Sequence, residues 1–309
     1  MATVQITTWE EFKTALTETI TEATTYEIMN DIDVSGEIIT STINANCAYN
    51  KTFKPATGIE NVKINGITSY ASLTNNGIIK YYSGGNHLLT FNNIHFSNFQ
   101  IAQCSLIGTI SITSGLYGYR FNNCLFNGVC YSLYSGNSSS REIIQFNYCS
   151  INIQAKRLDY SAGTTATYQA TMTNCYIIFN PLDDVAADSG AIWRACTFID
   201  CYIGGKIKIN YNTTNGLFGN YYSVEQRVVF NADVIIANYS SSTTYYISNT
   251  AKSVSAANTC IFNKDRIFQA DGTTQAANVA GLTNWNALTD AQMKSKTYIQ
   301  ENTNFPLYG

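Results

Sequence analysis

Charge and proline are both scarce in this 309-residue chain. Asp, Glu, Lys and Arg together make up 13% of the residues, about half the usual share, and only three residues are proline. The formal net charge is −3, and no window gathers the basic clusters that would neutralise a phosphate backbone, so we expect no nucleic-acid partner. A surface so poor in charge must consist largely of Asn, Thr, Ser and Tyr, which is typical of extended β-solenoids.

Long apolar runs are also missing. No segment approaches the roughly 18 to 20 apolar residues needed to cross a bilayer. Residues 1–5 lack the basic and apolar regions of a signal peptide. We therefore expect no membrane segment, and a protein that folds in a cytosol without standard export.

The motifs of cofactor, metal and nucleophile sites are likewise not found. The nine cysteines lack the CxxC spacings of zinc and thiol-redox sites. No glycine-rich phosphate loop and no nucleophile elbow occur. We expect neither a cofactor nor a bound metal.

What the chain does contain is one short pattern that recurs eight times. It is apolar, polar, Asn-like, apolar, any, apolar, and successive copies start 25 to 32 residues apart. The copies are 59–64, 91–96, 121–126, 146–151, 172–177, 198–203, 230–235 and 257–262. Alternation on both sides of the Asn position indicates two short strands joined by a bend in the left-handed backbone that Asn tolerates. We predict an all-β, single-stranded right-handed parallel β-helix of roughly 8 to 10 coils.

Stacked coils place each motif position above its copy, about 4.8 Å apart. The third position then forms an Asn ladder at the bend, made by Asn61, Asn93, Asn123 and Asn174. The fourth position forms an inward column that contains Cys124, Cys149, Cys175, Cys201, Asp233 and Cys260. Reduced structural thiols are the favoured interpretation of this column, with disulfides or a metal site as alternatives.

Both ends of the chain carry patterns that predict caps over the open core. Residues 4–6 predict a strand, and Thr8 and Glu11 form a capping box at the start of an amphipathic helix. Its apolar face carries Trp9, Phe12, Leu16 and Ile20. At the other end Trp285, Leu288 and Met293 predict a second short helix. We divide the chain into an N-terminal cap at 1–45, β-helix coils at 46–270, and a C-terminal cap and tail at 271–309.

On these segments the chain resembles the pectate-lyase-like right-handed β-helix superfamily, including bacterial surface adhesins and phage tailspikes. The segments that carry the resemblance are the cap at 8–16 with its Asn-Asp-Ile-Asp strand, the coils between 59 and 262, and the ends at 288–294 and 305–307. Phage β-helices of this kind usually form parallel trimers, so the resemblance implies a homotrimer. The calcium-binding aspartates and arginine of pectate lyases have no match in these coils.

Carboxylates are the residues that a polysaccharide-cleaving β-helix would need. The candidates are Asp159, Asp183, Asp184, Asp188, Asp200, Asp233 and Asp265. For Asp200 at the bend and Asp233 in the inward column, a locally satisfied structural carboxylate is the favoured interpretation. The group Asp183, Asp184 and Asp188 lies in a predicted loop, with weak calcium binding as the alternative to a solvated loop.

The fifth motif position forms an outward column that becomes apolar toward the C-terminus. Its candidate interaction face consists of Leu125, Tyr176, Tyr202, Val234 and Ile261. An intramolecular loop, another subunit or a glycan could cover this face. His95 lies in the same column, with no acid or nucleophile fixed near it by the repeat.

These features lead to one functional hypothesis and two alternatives. We expect a non-enzymatic structural or adhesive protein on the surface of a phage virion: a head fibre, a decoration protein or a tailspike. It would fold in the host cytoplasm, contact other virion proteins and take host cell-surface polysaccharide as a candidate ligand. The alternatives are a polysaccharide depolymerase and an extracellular bacterial adhesin.

Overall fold

The computed structural model describes residues 2–70, 77–81, 86–109, 117–136, 142–161, 170–182, 187–188, 196–211, 216–217, 224–247, 260–280 and 285–295. The first strands are β1 Ala2–Ile6, β2 Thr24–Ile28, β3 Ile32–Asp33, β4 Ile43–Ala45, β5 Lys51–Pro55, β6 Val62–Asn65, β7 Ile79–Tyr81, β8 Leu88–Asn92, β9 Ile94–Thr109, β10 Tyr117–Asn122, β11 Leu125–Gly136, β12 Glu142–Asn147 and β13 Ser150–Ser161. The remaining strands are β14 Ala170–Thr173, β15 Tyr176–Pro181, β16 Ala187–Asp188, β17 Cys196–Ile199, β18 Tyr202–Asn210, β19 Val224–Gln226, β20 Val229–Phe230, β21 Asp233–Ile236, β22 Tyr245–Tyr246, β23 Cys260–Asn263, β24 Ile267–Phe268, β25 Val279–Ala280 and β26 Trp285–Leu288. Two α-helices, α1 Trp9–Thr17 and α2 Asp290–Lys294, and a short 3₁₀ helix at Lys264–Arg266 complete the described elements.

The strands stack in parallel as a β-solenoid of about seven turns, which confirms the all-β parallel fold predicted from the repeat. One sheet has nine strands in the order β1-β2-β5-β8-β10-β12-β14-β17-β19. The second follows the path β26-β23-β20-β18-β15-β13-β11-β9-β6-β3. Each coil thus adds one strand to each sheet, and the two strands of the motif belong to different sheets.

The first motif position is a column of stacked aromatic rings inside the solenoid. The ring centroids of Phe53 and Phe91 are 5.3 Å apart, those of Phe91 and Phe121 5.1 Å, and those of Phe121 and Phe146 5.0 Å. All four side chains are fully buried. Such stacks add about 0.5–1.5 kcal/mol per pair beyond their buried area, which fixes the register of successive coils.

The bend between the two motif strands has a left-handed backbone in six successive coils. The φ angles lie between 51° and 56° at Asn93, Asn123, Tyr148, Asn174, Asp200 and Arg227. The predicted amide ladder is present where two Asn residues are stacked, since Asn123 Nδ2 donates to Asn93 Oδ1 at 2.7 Å. The left-handed conformation therefore continues through residues other than Asn.

A second amide ladder, which the repeat did not predict, runs one position before the bend. Asn122 Nδ2 donates to Asn92 Oδ1 at 2.7 Å, and Asn147 Nδ2 donates to Asn122 Oδ1 at 2.9 Å. These side chains are half-buried. The side chains at the second motif position thus bond to one another along the sheet and are only partly exposed to water.

The cysteine column lies in the core, with each thiol in contact with the preceding coil. Cys124 Sγ donates to the carbonyl oxygen of Phe91 at 3.4 Å, and Cys201 Sγ donates to that of Met172 at 3.2 Å. All nine cysteines of the chain are free and buried, so no disulfide is formed. Burial raises the pKa of the Cys149 and Cys201 thiols. These are packing residues with weak hydrogen bonds to backbone carbonyls.

The sequence pattern assigned two copies of the motif wrongly. In the first copy, Phe53 and not Ile59 pairs with Phe91, and Asn61 does not have the left-handed backbone of the later bends, because the chain turns over a longer segment after β5.

In the seventh copy the whole motif is shifted. Strand pairing places Tyr202 beside Val229 and Ile203 beside Phe230, so the true copy is 225–230. Asp233 therefore does not belong to the inward column. Val234 does not belong to the outward column either, because it is fully buried in the core.

The predicted strand and capped helix are present at the N-terminus, but α1 ends at Thr17, so Ile20 lies outside the helix. Thr8 and Glu11 make the capping box of α1, and the helix buries Trp9, Phe12 and Leu16 against the first coils. At its C-terminal end the fully buried Lys51 donates from Nζ to three backbone carbonyls, those of Ala15 (2.6 Å), Leu16 (2.9 Å) and Glu18 (2.8 Å). The lysine supplies donors to carbonyls that a helix end leaves without partners.

The C-terminal cap differs from the prediction. Trp285 and Leu288 belong to strand β26, which extends the second sheet beside β23, and not to a helix. Only Met293 of the three predicted residues lies in α2, whose own capping box is formed by Thr289 and Gln292. The sheet continues through this segment because its residues pair in register with the preceding coil.

Candidate functional site

The outer column of the second sheet is the surface feature on which a binding role would depend. Strand pairing defines it as Lys63, His95, Leu125, Ser150, Tyr176, Tyr202, Val229, Ile261 and Asn286. Val229 therefore takes the place that the sequence assigned to Val234. The name outer column refers to these nine residues below.

The centre of the outer column is a pair of stacked tyrosines. The rings of Tyr176 and Tyr202 lie 4.8 Å apart at an angle of 7°, and both side chains are half-buried. A Cβ atom on Gly204 would lie only 2.9 Å from Cε1 of Tyr202, so the glycine makes room for this ring. Burial, and then the neighbouring phenol of Tyr202, raises the pKa of Tyr176. The stacked rings of Tyr176 and Tyr202 are called the aromatic ledge below. Its Tyr202 hydroxyl accepts a hydrogen bond from Asn231 Nδ2 at 3.1 Å.

The C-terminal part of the outer column is covered from within the chain. Met293 of α2 is 1% exposed and forms a separate apolar cluster with Val229 and Ile261, against which Tyr202 and Leu288 pack. Intramolecular cover, one of the three alternatives for this face, therefore applies to Val229 and Ile261. Tyr176 and Tyr202 lie at the edge of that cover.

The N-terminal part of the outer column is buried as well. Leu125 is 7% exposed, and His95 and Ser150 are also buried. Burial, and then the nearby charge of Lys63, lowers the pKa of His95, which keeps the imidazole neutral near pH 7. The accessible portion of the predicted interaction face is thus the tyrosine pair.

The candidate carboxylates in the described coils make ion pairs with arginines of the next coil. Asp200 accepts two hydrogen bonds from Arg227, from Nε at 2.5 Å and from a terminal nitrogen at 2.6 Å. Asp233 accepts 2.7 Å and 3.3 Å hydrogen bonds from Arg266. Both pairs are partly exposed, and each links two successive coils in the bidentate geometry that arginine favours.

The other candidate acids contribute less to a site. Asp265 accepts a hydrogen bond from the backbone N–H of Asp290 at 2.8 Å, at the start of α2. Asp183 and Asp184 lie outside the described residues, and the side chains of Asp159 and Asp188 are not among those described. Within the described ranges, no three His, Cys, Asp or Glu side chains are arranged to hold a metal ion. Among the same residues, no helix is long and apolar enough to cross a membrane.

One cluster that the sequence reading missed lies on strands β11 and β13. Tyr131 lies between two cations, because Lys156 Nζ and Arg157 Cζ are each 5.9 Å from the centroid of its ring. All three side chains are half-buried. Lys156 and Arg157 are the only two basic residues that are adjacent in the sequence, and this was the signal that could have identified the cluster.

No protein-family model, curated protein or solved structure matches this chain.

Proposed function

We propose that this chain is a non-enzymatic structural or adhesive protein of a phage virion, serving as a head fibre, decoration protein or tailspike. The observation that carries the proposal is the use of charge along the coils. Among the candidate acids whose side chains the structure describes, Asp200 and Asp233 each bind an arginine of a neighbouring coil. Carboxylates that bind arginines of the next coil hold the coils together, which supports a structural role in preference to a hydrolytic site.

The state of the cysteines supports folding in a cytosol. All nine are free thiols in the core. In a compartment that forms disulfides, thiols that are exposed during folding would be liable to form wrong disulfides. A virion protein folds in the host cytoplasm and reaches the outside when the cell lyses, which fits this chemistry. Burial afterwards protects the thiols from oxidation.

The half-buried aromatic ledge is the proposed contact surface. Tyr176 and Tyr202 present a flat stacked face beside a rigid sheet, and such rings are favoured where one side of a residue is apolar and the other is wet. A homotrimer would bring this ledge against a neighbouring protomer, and a monomer would offer it to a host glycan.

The experiment locates the protein and then tests the ledge. Purified phage particles from infected host cells are analysed by mass spectrometry and by gold-labelled antibody, and we expect the protein at one defined structure of the particle. Light scattering on the isolated protein should give three copies, and Tyr176→Ala with Tyr202→Ala should reduce the assembly to monomers. Asp200→Asn is the control, because it changes a polar residue at the bend of the same coil and leaves both tyrosines in place. Absence of the protein from particles would overturn the proposal.

Cleavage assays test the enzymatic alternative directly. Host capsular and cell-wall polysaccharides are incubated with the wild-type protein and with Asp233→Asn, and the products are separated by size. Cleavage by the wild-type protein that the variant lacks would replace our proposal with a depolymerase. A gene that encodes an export segment before Met1 would instead favour the bacterial adhesin.

A further inference from the structure

The nine-stranded sheet begins with an edge strand, β1, whose described pairing is with β2 alone. Met29 N–H donates to the carbonyl oxygen of Ile6 at 2.9 Å, so the backbone groups of Ile6 face β2. In a parallel pair, alternate residues of a strand direct both backbone groups to the same neighbour, so Val4 faces β2 as well. The N–H and C=O groups of Thr3 and Gln5 therefore point away from the sheet.

These outward backbone groups lie at an open edge. Thr3, Val4 and Gln5 are exposed, whereas Ile6 at the end of the strand is buried. In the described part of the chain, no other segment makes a backbone hydrogen bond to the outward groups of Thr3 or Gln5. An edge of this kind is a template for pairing, because every unpaired donor and acceptor gains a partner when another strand is added.

The sequence of β1 does not protect this edge. Proteins commonly guard an edge strand with charged residues, with proline or with a β-bulge. Ala2–Ile6 contains no charged residue and no proline, and it pairs with β2 without a shift of register. Thr3, Val4 and Ile6 are β-branched, which favours the extended conformation that a further strand would meet. The edge is thus formed as one that accepts a strand.

The core side of the same edge is incompletely covered. Val4 pairs with the fully buried Tyr26, so its side chain points to the core face of the sheet. The helix α1 buries Phe12 against the first coils, yet Val4 remains 43% exposed. A strand added beside β1 would cover Val4 with a side chain of its own. The edge therefore selects a segment that alternates apolar residues beside Val4 with polar residues beside Thr3 and Gln5.

The surroundings of this edge are acidic. Residues 1–60 contain three basic and nine acidic residues, a net charge of −6, whereas the whole chain has −3. Of the basic residues, Lys51 is buried, and Lys13 and Lys54 each contact a carboxylate. The exposed acidic residues of this segment are Glu10, Glu11, Glu22, Asp31, Asp33, Glu37 and Glu60. Two copies joined through β1 would bring like charges together, whereas a segment with Lys or Arg is attracted.

We propose that the outer edge of β1 is a docking site for an extended, basic segment of a different protein, which adds a strand to the nine-stranded sheet. Hydrogen bonds to the backbone of Thr3 and Gln5 supply affinity, while Val4 and the acidic surroundings supply selectivity. The inference rests on the proposed function and deepens it, since it assigns the N-terminal end of the solenoid to contact with another virion protein.

Synthetic peptides stand in for the partner segment, and fluorescence anisotropy measures their binding to the purified full chain. The peptides share an alternating sequence of Thr and Val and are flanked by Lys, by Ser or by Glu. A further Lys peptide carries methyl groups on alternate backbone nitrogens, which removes the donors along one edge. Thr3→Pro and Gln5→Pro each remove one outward N–H, because proline is tolerated on an edge strand where the N–H faces solvent. Thr3→Val keeps that N–H and changes only the side chain.

We expect the Lys peptide to bind most tightly and the Glu peptide most weakly, with differences that shrink as salt is added. Each proline variant should weaken binding of the Lys peptide by about fivefold or more, since one backbone hydrogen bond is lost. Thr3→Val should weaken it by less than about twofold, as expected for a surface side chain. The methylated peptide should bind more weakly than the unmodified one by at least about fivefold.

Amide hydrogen exchange of the wild-type protein shows where the peptide binds. The amides of Thr3 and Gln5 should exchange rapidly in the free protein and at least about tenfold more slowly with the Lys peptide bound. The amide of Val4, which bonds to β2, should exchange slowly in both states and in both proline variants. If a proline variant exchanges rapidly at Val4, its β1 has left the sheet, and the exchange measured on the wild-type protein decides.

Several results would overturn the proposal. They are no binding of the Lys peptide, unchanged exchange at Thr3 and Gln5 when it binds, equal binding of the Lys and Glu peptides, and a loss on Thr3→Val as large as on Thr3→Pro. Light scattering tests the other occupant, because a copy number that falls on Thr3→Pro would show that a second copy of the chain covers the edge. Failure here leaves the virion assay untouched, since that assay depends on where the protein is found.

Discussion

Replacement of Lys51 by Met tests how the solenoid closes its N-terminal end. The ammonium group is 0% exposed and donates to the carbonyls of Ala15, Leu16 and Glu18. A buried acceptor that loses its partner costs about 1–3 kcal/mol. The Leu16 carbonyl keeps a hydrogen bond from the backbone N–H of Asn46 at 2.9 Å, so the other two carbonyls would cost at least about 2 kcal/mol. Removing a buried charge offsets part of this cost. We expect Lys51→Met to lower the free energy of unfolding by about 2–4 kcal/mol, a large part of the total of a typical domain.

The same substitution should remove a characteristic dependence of stability on pH. Burial lowers the pKa of Lys51 from 10.5 to about 8. Between these values the unfolded chain holds a proton that the folded chain has released, so the contribution of Lys51 to the free energy of unfolding rises with pH across this window. The core thiols, whose pKa burial raises, contribute with the opposite sign, so the effect of Lys51 is the difference between the wild type and Lys51→Met. Below pH 8 both states are protonated, and above pH 10.5 both are neutral. A shift of this size corresponds to at most about 3 kcal/mol.

Denaturant unfolding at several pH values measures both effects. The wild-type protein, Lys51→Met and Lys54→Met are compared between pH 7 and 10.5, following backbone circular dichroism. Lys54 lies on the same strand as Lys51 and makes a partly exposed ion pair with Glu27 of β2, and its loss should cost about 1 kcal/mol or less. The reasoning fails if the free energy of unfolding of Lys51→Met is within about 0.5 kcal/mol of the wild-type value, or if the difference between the two proteins does not change with pH.

Four further predictions concern the bend, the core thiols and the C-terminal cap. Asn174→Val should cost about 1–3 kcal/mol in denaturant unfolding, because a β-branched residue is strained at a φ of 52°, and an equally stable variant would contradict this. Iodoacetamide should leave Cys175 unlabelled in the native protein and label it after unfolding, since the thiol is fully buried. Mass spectrometry of the digested protein measures the labelling, and labelling of the native protein would contradict the burial. Met293→Ala should weaken the docking of α2 by about 2–3 kcal/mol, seen as faster amide exchange there, and unchanged exchange would count against the apolar cluster. Hydrogen bonds from Thr274 lower the pKa of Asp271 to about 2. The stabilising contribution of this carboxylate is therefore present above pH 3.8 and is lost as the pH falls through about 2. A carboxyl titration by NMR with a midpoint near 3.8 would refute this.

The parts of the fold that the sequence predicted are those in which one residue type repeats at one position. Cys124, Cys149, Cys175 and Cys201 share an inward column, and period-two alternation was enough to place them there. The capping box of α1 was predictable for a related reason, since Thr8 and Glu11 satisfy each other within one turn. Local patterns are reliable where the residues that define them are neighbours in the chain.

The seventh coil was assigned wrongly because its bend has no Asn and is stabilised by an ion pair with the preceding coil. Arg227 takes the bend position that Asn holds elsewhere, and its guanidinium binds Asp200 one coil before it. No single-coil pattern contains that ion pair, whereas 230–235 mimics the motif with an apolar residue, an Asn and renewed alternation. Pairing between strands decides the register, and this pairing is non-local in sequence.

The cluster at Tyr131 was missed for a different reason. In a regular strand, Lys156 and Arg157 would lie on opposite faces, which separates their charges. The contact with one ring lies beside the place where β11 and β9 shift register, between Cys130 and Ser132, while β11 and β13 stay in register. Side-chain directions next to such an irregularity do not follow from strand periodicity alone.

The core positions of a coil accept few residue types, whereas the bend positions accept several. The inward columns are filled by Phe, Ile and Cys, whose volumes set the spacing between coils, so they tolerate few changes. The bend requires only a left-handed backbone and a side chain that pairs with its neighbour, and the amide contact of Asn123 with Asn93 and the ion pair of Asp200 with Arg227 meet this requirement equally well. Tyr148 shows how far this freedom extends, because it adopts the same backbone conformation while its side chain is 61% exposed. New surface chemistry can therefore arise at a bend without disturbing the core.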